Sequence, residues 1–203
     1  MRLLSAILVV VLLGGCFTSG KRGSERGLAI HDLGLLPPRL MTDGQRPGML
    51  AIEVRAPLWM DSLGINYRLS YVDASQLREY ARSRWAGPPA QLIEQRLMQQ
   101  LDLLPSGQAR GKCVWRLEVS EFSQLFASPA ESNALLQARV FWLDPSRRQL
   151  AERRVSISRP AATADARGGV AALQDAVGQL AVELLEWERQ LLAGGRARVC
   201  AEG

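Results

Sequence analysis

The most reactive side chains in this 203-residue chain are three cysteines and one histidine. They are Cys16, Cys113, Cys200 and His31, and they are scattered over the whole length. A structural zinc site needs about four cysteine or histidine ligands at close spacing, so this distribution excludes one. Nucleophilic catalysis usually relies on an imidazole base, and His31 is the only one present. Because His31 stands among apolar residues without a companion ligand, we expect it to be structural or on the surface.

Two further patterns could carry chemistry. Gly168-Gly169 precedes a predicted helix, as in a phosphate-binding turn, but the glycine and lysine spacings of nucleotide-binding loops are absent. A glycosidase would need paired carboxylates, and the sequence alone identifies no pair. The unremarkable candidates are Asp61, Asp73, Glu79 and Glu121. The residue types therefore predict no catalytic residues, no cofactor and no metal.

Cys16 stands at the end of a targeting segment. Met1-Arg2 is followed by an apolar run over Leu3 to Leu13. The run has about 11 residues, whereas a membrane-spanning helix needs about 20 apolar residues. It therefore predicts a signal peptide. Its end, Leu13-Gly14-Gly15-Cys16, resembles the bacterial lipoprotein box. This resemblance implies that Cys16 is acylated and becomes the mature N-terminus. Lipoproteins that are retained at the inner membrane usually carry Asp directly after the acylated cysteine, and this chain carries Phe17 there. The resemblance therefore implies an outer-membrane lipoprotein that faces the periplasm.

The other two cysteines have two readings. Export to an oxidising compartment allows a disulfide between Cys113 and Cys200. Alternatively, Cys113 is buried on a strand and Cys200 is a free thiol in a mobile tail. The sequence leaves both open.

The charge pattern limits the partners. The formal net charge is +5, and of the 25 basic residues only Lys21 and Lys112 are lysines. The arginines are spread along the chain without a dense block, which argues against a nucleic-acid partner. The excess charge suits anionic lipid head groups, an acidic protein partner or simply a solvated surface.

Alternating apolar residues predict strands, and a period of three to four predicts helices. Strands are expected over Met49–Leu58, Ile65–Val72, Leu77–Trp85, Lys112–Glu121, Asn133–Leu143 and Gln149–Ser158, the last three as an antiparallel meander. The folded domain is predicted to open with a short segment over Leu28–Leu36. One helix should start at Pro88 or Pro89 and stop before Pro105. A second helix is predicted from an apolar stripe that runs from Val170 to Leu191. This stripe packs either on the sheet of its own domain or against a partner. The fold class is α+β: one domain with a largely antiparallel or mixed sheet and two main helices.

Four segments follow from these patterns. Residues 1–15 form the signal peptide, 16–27 a lipidated tether, 28–193 the folded domain and 194–203 a polar tail. The tether is rich in glycine, serine and charge, and its flexible residues 17–27 should reach about 15 to 20 Å.

The order of motifs resembles the ABC-type transport auxiliary lipoprotein family, the paraquat-inducible protein C-like group. The matching stretches are His31-Asp32-Leu33-Gly34, Val54-Arg55-Ala56-Pro57, Ile65-Asn66-Tyr67-Arg68, Tyr80 to Pro89 leading into Leu92 and Leu97, Leu117 to Phe122, and Val170 to Leu173. They cover nearly the whole mature chain. His31 is a departure, because members commonly carry tyrosine there.

This resemblance implies a non-enzymatic outer-membrane lipoprotein without catalytic residues. It implies a Mce-domain protein of an ABC transport system as partner, phospholipid or other hydrophobic cargo moving between the membranes, and leaves a homo-oligomer open. A lipid-anchored scaffold for another envelope complex is the alternative, and a periplasmic hydrolase is a third. Trp85, Pro88 and Pro89 are either a partner contact or a ring packed at a strand-to-helix corner.

Overall fold

A curled mixed sheet is the frame of the molecule, and the computed structural model describes residues 27–41, 50–108 and 112–201. The strands are β1 (Ala29–His31), β2 (Leu50–Arg55), β3 (Gly64–Leu69), β4 (Arg78–Trp85), β5 (Leu104–Pro105), β6 (Cys113–Ser128), β7 (Glu131–Leu143) and β8 (Gln149–Pro160). The helices are α1 (Ser70–Asp73), α2 (Pro89–Leu101), α3 (Ala166–Ala193) and α4 (Arg198–Ala201). The predicted α+β class is confirmed.

The central strand, β6, extends beyond its predicted end at Glu121. It pairs in parallel with β2 along its first half and with β3 along its second half, so one long strand holds two partners in succession. Its other edge pairs antiparallel with β7, which pairs antiparallel with β8. The predicted meander is therefore confirmed.

The strand predicted over Leu77–Trp85 is confirmed as β4, which lies between β3 and β1. The strand predicted over Ile65–Val72 is wrong at its end, where α1 begins at Ser70. The partner of Leu69 is Phe126, and β6 ends two residues later at Ser128. Little backbone is left there to pair with residues 70–72, and the chain turns instead.

The helix α2 begins at Pro89, where a missing N–H costs nothing because first-turn donors have no helical partner. It buries Ile93, Leu97 and Leu101. It ends at Leu101, before Pro105 as predicted, and Asp102 after it adopts a left-handed conformation with φ 52°. The next residues form β5, which extends the sheet beside β2.

The helix α3 packs on β6, β7 and β8. All stripe residues predicted for it are buried: Val170, Leu173, Val177, Leu180, Leu184, Trp187 and Leu191. Trp187 lies 6.0 Å from Trp142, measured between ring centroids, and Trp142 lies 5.7 Å from Trp115 on β6. The stripe therefore serves the core of its own domain.

The residues after α3 differ from the predicted tail. Gly194 and Gly195 end the helix as expected, Gly195 with φ 72°. Ala197 is then fully buried, α4 follows, and Cys200 forms a disulfide with Cys113, with 5.6 Å between their Cα atoms. Of the two readings of these cysteines, the structure contains the bonded one, and residues 196–201 are docked on the domain.

Candidate functional site

A groove crosses the face of the sheet opposite α3. On β6, β7 and β8 the buried residues Val119, Ala138 and Val155 alternate with exposed polar neighbours, which point away from the helix. The groove has a volume of about 770 Å³. Its exposed polar residues are Arg55, Glu118, Ser120, Gln137, Arg139, Arg154 and Ser156. A concave polar surface of this size suits a ligand or a segment of a partner.

One wall of the groove is a row of charged residues, one from each of four adjacent strands. Arg55 pairs in register with Glu118, Glu118 with Arg139, and Arg139 with Arg154. Neighbouring strands lie about 4.8 Å apart, so the row spans about 14 Å. Arg139 and Arg154 are like charges directly opposite each other, an arrangement that destabilises a sheet. A negative group placed between Arg139 and Arg154 would relieve this repulsion.

The ion pairs of this face involve acidic residues that lie two positions away along the strands, in the neighbouring row. Arg55 and Arg116 hold Glu53 at 2.6 and 3.1 Å, and Arg139 lies 3.4 Å from Glu152. Burial raises the pKa of Glu53, but the hydrogen bonds from Arg55 and Arg116 outweigh it and leave the pKa lowered. Exposed pairs of this kind contribute about 0 to 1 kcal/mol, so they can exchange partners at little cost.

Two charged side chains of the row can bind a partner without breaking an ion pair of the described residues. Within the described residues, neither Arg154 nor Glu118 has an ion pair within 4 Å. Gln137 and Ser156 join through a hydrogen bond of 3.3 Å and place further donors and acceptors beside them. The groove can therefore offer charge-assisted hydrogen bonds of both signs to a partner.

An apolar turn borders the groove. Pro57 lines the groove, and the 3-10 turn Leu58–Met60 follows it. Met60 is buried and holds the turn, while Leu58 is 90% exposed and Trp59 is 45% exposed. Tryptophan and arginine are the residue types that contribute most at protein interfaces. The groove and this turn together make the candidate docking surface.

The partner contact predicted at Trp85, Pro88 and Pro89 is not at this surface. Trp85 is 1% exposed and its ring centroid lies 5.7 Å from that of Phe122. Pro89 is buried and Pro88 is partly buried at the start of α2. The segment is the packed strand-to-helix corner, because an indole enclosed by the core cannot reach a partner.

The glycines of the Gly168-Gly169 pair fit close packing rather than a phosphate. A Cβ on Gly169 would stand 1.9 Å from Gln124 Oε1, and one on Gly168 would stand 2.1 Å from the Thr163 carbonyl oxygen. Asp165 caps α3 here by accepting a hydrogen bond from the Gly168 N–H, which, with one from the Thr163 hydroxyl, lowers the pKa of Asp165. This carboxylate already occupies the end of the helix where an anion would bind.

A buried hydrogen-bond chain lies beneath that helix end. Tyr80 donates to Gln124 Oε1 at 2.8 Å, and Gln124 Nε2 donates to Ser132 Oγ at 2.7 Å. Burial, followed by the nearby Tyr67 and Asp165, raises the pKa of Tyr80 well above its ordinary value. Tyr80 therefore stays protonated and acts as a donor in the core.

The remaining candidates stay apart. His31 is partly buried on β1, and its Nε2 has no hydrogen-bond partner among the described residues. Glu121 binds Arg68 at 3.1 Å, and Asp73 accepts from the Ser75 N–H and hydroxyl. In residues 27–41, 50–108 and 112–201, no three histidine, cysteine or acidic side chains are grouped to hold a metal. Cys16 lies outside the described residues.

Sequence reasoning did not identify the groove. The direction of each residue was available from alternation, since Glu118 stands between the apolar Leu117 and Val119. The row depends on the register of four strands, which sequence alone does not fix.

The chain is similar to a known family and to two proteins of known structure. The family model described as "ABC-type transport auxiliary lipoprotein component" matches residues 35–184. A crystal structure of a Xanthomonas campestris protein of family DUF330 is 20% identical and covers 84% of this chain and 99% of its own, with a TM-score of 0.68. The crystal structure of an uncharacterised protein is 13% identical and covers 78% and 96%, with a TM-score of 0.61. At these identities the two structures show a shared fold.

No curated protein shows significant sequence similarity to the chain. Among the helices that the structure describes, none combines the length and apolar character needed to cross a bilayer. The match to the family model spans more than half of the chain. The chain therefore belongs to the ABC-type transport auxiliary lipoprotein component family.

Proposed function

We propose that this protein is a lipoprotein held in the outer membrane through Cys16 that serves an ABC transport system containing a Mce-domain protein. It supports the movement of phospholipid or other hydrophobic cargo between the two membranes and has no catalytic role. Family membership is the observation that carries this proposal. The lipoprotein-box sequence ending at Cys16 supports the anchor, and Phe17 supports the outer membrane.

The groove and the Leu58–Met60 turn are the surface at which the transport partner docks. Arg139 and Arg154 face each other there as like charges, and Arg154 has no ion pair among the described residues. A partner that places a carboxylate between them would relieve their repulsion and gain charge-assisted hydrogen bonds. Leu58 and Trp59 would add apolar contact at the rim.

The anchor is tested by Cys16→Ser. Without its thiol the chain cannot be acylated, so it should move from the membrane to the soluble fraction of the envelope. Fractionation followed by immunoblotting measures this, with the wild-type chain as reference. A Cys16→Ser variant that stays in the membrane with unchanged mobility would contradict the lipoprotein assignment.

The partner is tested by capture from envelope extracts in mild detergent. The tagged wild-type chain should recover a Mce-domain protein, identified by mass spectrometry. Arg139→Glu with Arg154→Glu should lower its recovery at least tenfold, because both charges reverse at the docking surface. Arg189→Glu, which reverses one charge at an exposed position of α3, is the control for charge reversal outside the groove and should leave recovery unchanged.

Two outcomes would count against the proposal. Recovery of a different envelope complex by the wild-type chain would favour the scaffold alternative. Equal losses in the double variant and in Arg189→Glu would move docking away from the groove.

A further inference from the structure

A second cavity lies on the helix side of the sheet. Its walls come from the segment after β1, from α2 and α3, and from the end of β8, and its volume of about 660 Å³ suits a small molecule. Arg153 on β8 forms an ion pair of 3.6 Å with Glu183 on α3, so the odd-numbered side chains of β8 face that helix. Arg159 therefore points into this cavity, whereas Arg154 points into the groove.

Gln100 on α2 gives the cavity a buried acceptor without a partner. Its side chain lines the cavity and is 3% exposed, and its Oε1 atom accepts no hydrogen bond within the described part of the chain. Buried polar atoms without a partner are rare, because leaving water without a new hydrogen bond costs free energy. A ligand that donates a hydrogen bond to Gln100 would supply the missing partner.

Charged groups of both signs line the same cavity. Asp175 on α3 and Arg159 on β8 are exposed, and among the described residues neither has an ion pair within 4 Å. Arg96 on α2 is the third charged residue, and it donates hydrogen bonds to the carbonyl oxygens of residues 33–35. The lining therefore carries two positive charges and one negative charge.

Three acceptors of the cavity equal in number the N–H groups of a primary ammonium. They are the Asp175 carboxylate, Gln100 Oε1 and Gln174 Oε1. The amide of Gln174 is oriented by its Nε2, which donates to the Asp32 carbonyl oxygen at 3.0 Å and leaves Oε1 to accept. An ammonium has three donors and no acceptor, so it satisfies all three groups at once.

An acidic group on the same ligand fits the positive side of the cavity. A guanidinium such as that of Arg159 binds a carboxylate or a phosphate through two parallel hydrogen bonds. Because the lining has an excess of one positive charge, a phosphate monoester, with a charge of about −1.5 to −2, balances it better than a carboxylate when an ammonium is also present. Leu35, Pro37 and Pro160 provide apolar contact for the carbon chain between or beside these groups.

We propose that this cavity binds a molecule that carries both a primary ammonium and a phosphate. The ammonium lies at Gln100, Gln174 and Asp175, and the phosphate lies at Arg159. The cavity and the groove are on opposite sides of the sheet, so ligand and partner can bind together. This site depends neither on the anchor at Cys16 nor on the transport role.

Isothermal titration calorimetry on the full wild-type chain tests the site, in dodecyl maltoside, whose head group is uncharged. Phosphoethanolamine should bind. Phosphocholine should bind about tenfold more weakly, because its methylated ammonium has the same charge but no N–H to donate to Gln100. Glycine should also bind about tenfold more weakly, because it lacks the phosphate. Equal affinity for phosphoethanolamine and phosphocholine would overturn the proposal.

Gln100→Leu separates binding from folding. Leucine is of similar size and needs no partner, so the variant should keep or raise the midpoint of urea unfolding and lower the affinity for phosphoethanolamine about tenfold. Gln99→Leu, the same change at an exposed position of α2, is the control and should leave the affinity unchanged. A Gln100→Leu variant that loses stability and keeps its affinity would assign Gln100 to the fold alone.

Asp175→Asn and Arg159→Gln test the two ends of the ligand. Each should lower the affinity for phosphoethanolamine about tenfold, because each removes a charge that faces one end. Glu186→Gln and Arg189→Gln change the same charges at exposed positions of α3 outside the cavity and should have no effect. Equal losses in these controls would contradict the site.

A lipid probe identifies the source of the ligand. Dihexanoylphosphatidylethanolamine carries the same ammonium, but its phosphate is a diester. Tighter binding of this lipid than of phosphoethanolamine would support the site and identify a lipid head group, whereas weaker binding would support a free monoester. Binding of neither probe would overturn the proposal and leave a water molecule as the partner of Gln100.

Discussion

Gly169 and Gly178 stand on the same helix in opposite environments. Gly169 touches the buried Gln124 side chain, whose oxygen accepts from Tyr80 and whose nitrogen donates to Ser132. Gly178 has no atom within 4 Å of the position that a Cβ would take. The pair separates a glycine that packing requires from one that only weakens the helix.

We expect Gly169→Ala to lower the free energy of unfolding by about 1 to 3 kcal/mol, because the added methyl displaces Gln124 from a closed hydrogen-bond chain. Gly178→Ala should raise it by about 0.5 to 1 kcal/mol, since alanine loses less backbone entropy in a helix. Urea denaturation monitored by circular dichroism measures both. A stabilising Gly169→Ala would show that Gln124 moves aside freely and would contradict the packing role.

The longer elements were predictable from sequence because their periods repeat several times. The alternation over β7 and β8 and the stripe of α3 each cover ten residues or more, and both predictions are confirmed. The short elements carry no such signal. β5 has two residues and α1 has four. β5 pairs with β2, and α1 begins where the pairing of β3 with β6 ends, so both elements depend on tertiary pairing.

The candidate site was less predictable than the fold for the same physical reason. Alternation shows that Arg139 and Arg154 point outward, but only the pairing of β7 with β8 makes them neighbours. Trp85 is the converse case. Its position before Gly87-Pro88-Pro89 suggested either a contact or a corner, and burial against Phe122 decides for the corner.

At the scale of the whole molecule, the two ends of the described chain lie at different places in the sheet. Residues 29–31 form β1 at one edge of the sheet, and the C-terminal residues close onto the start of β6. Cys113 is the first residue of β6, where β2 also pairs through Leu50, so the disulfide fixes the chain end next to the centre of the sheet. The two bonded cysteines are 87 positions apart in the sequence, and the chain between them includes β6, β7, β8 and α3.

A covalent bond across so long a segment should stabilise the fold mainly by restricting the unfolded chain. We expect reduction, or Cys113→Ser with Cys200→Ser, to lower the free energy of unfolding by about 4 kcal/mol. Urea denaturation of the wild-type chain with and without reductant measures the difference, and the double variant is the control that reductant should not affect. The loss should appear in the unfolding of the whole domain, because the bond joins α4 to the central strand that β2, β3 and β7 all share. An unfolding midpoint that reductant leaves unchanged would contradict this role and confine the bond's effect to residues 196–201.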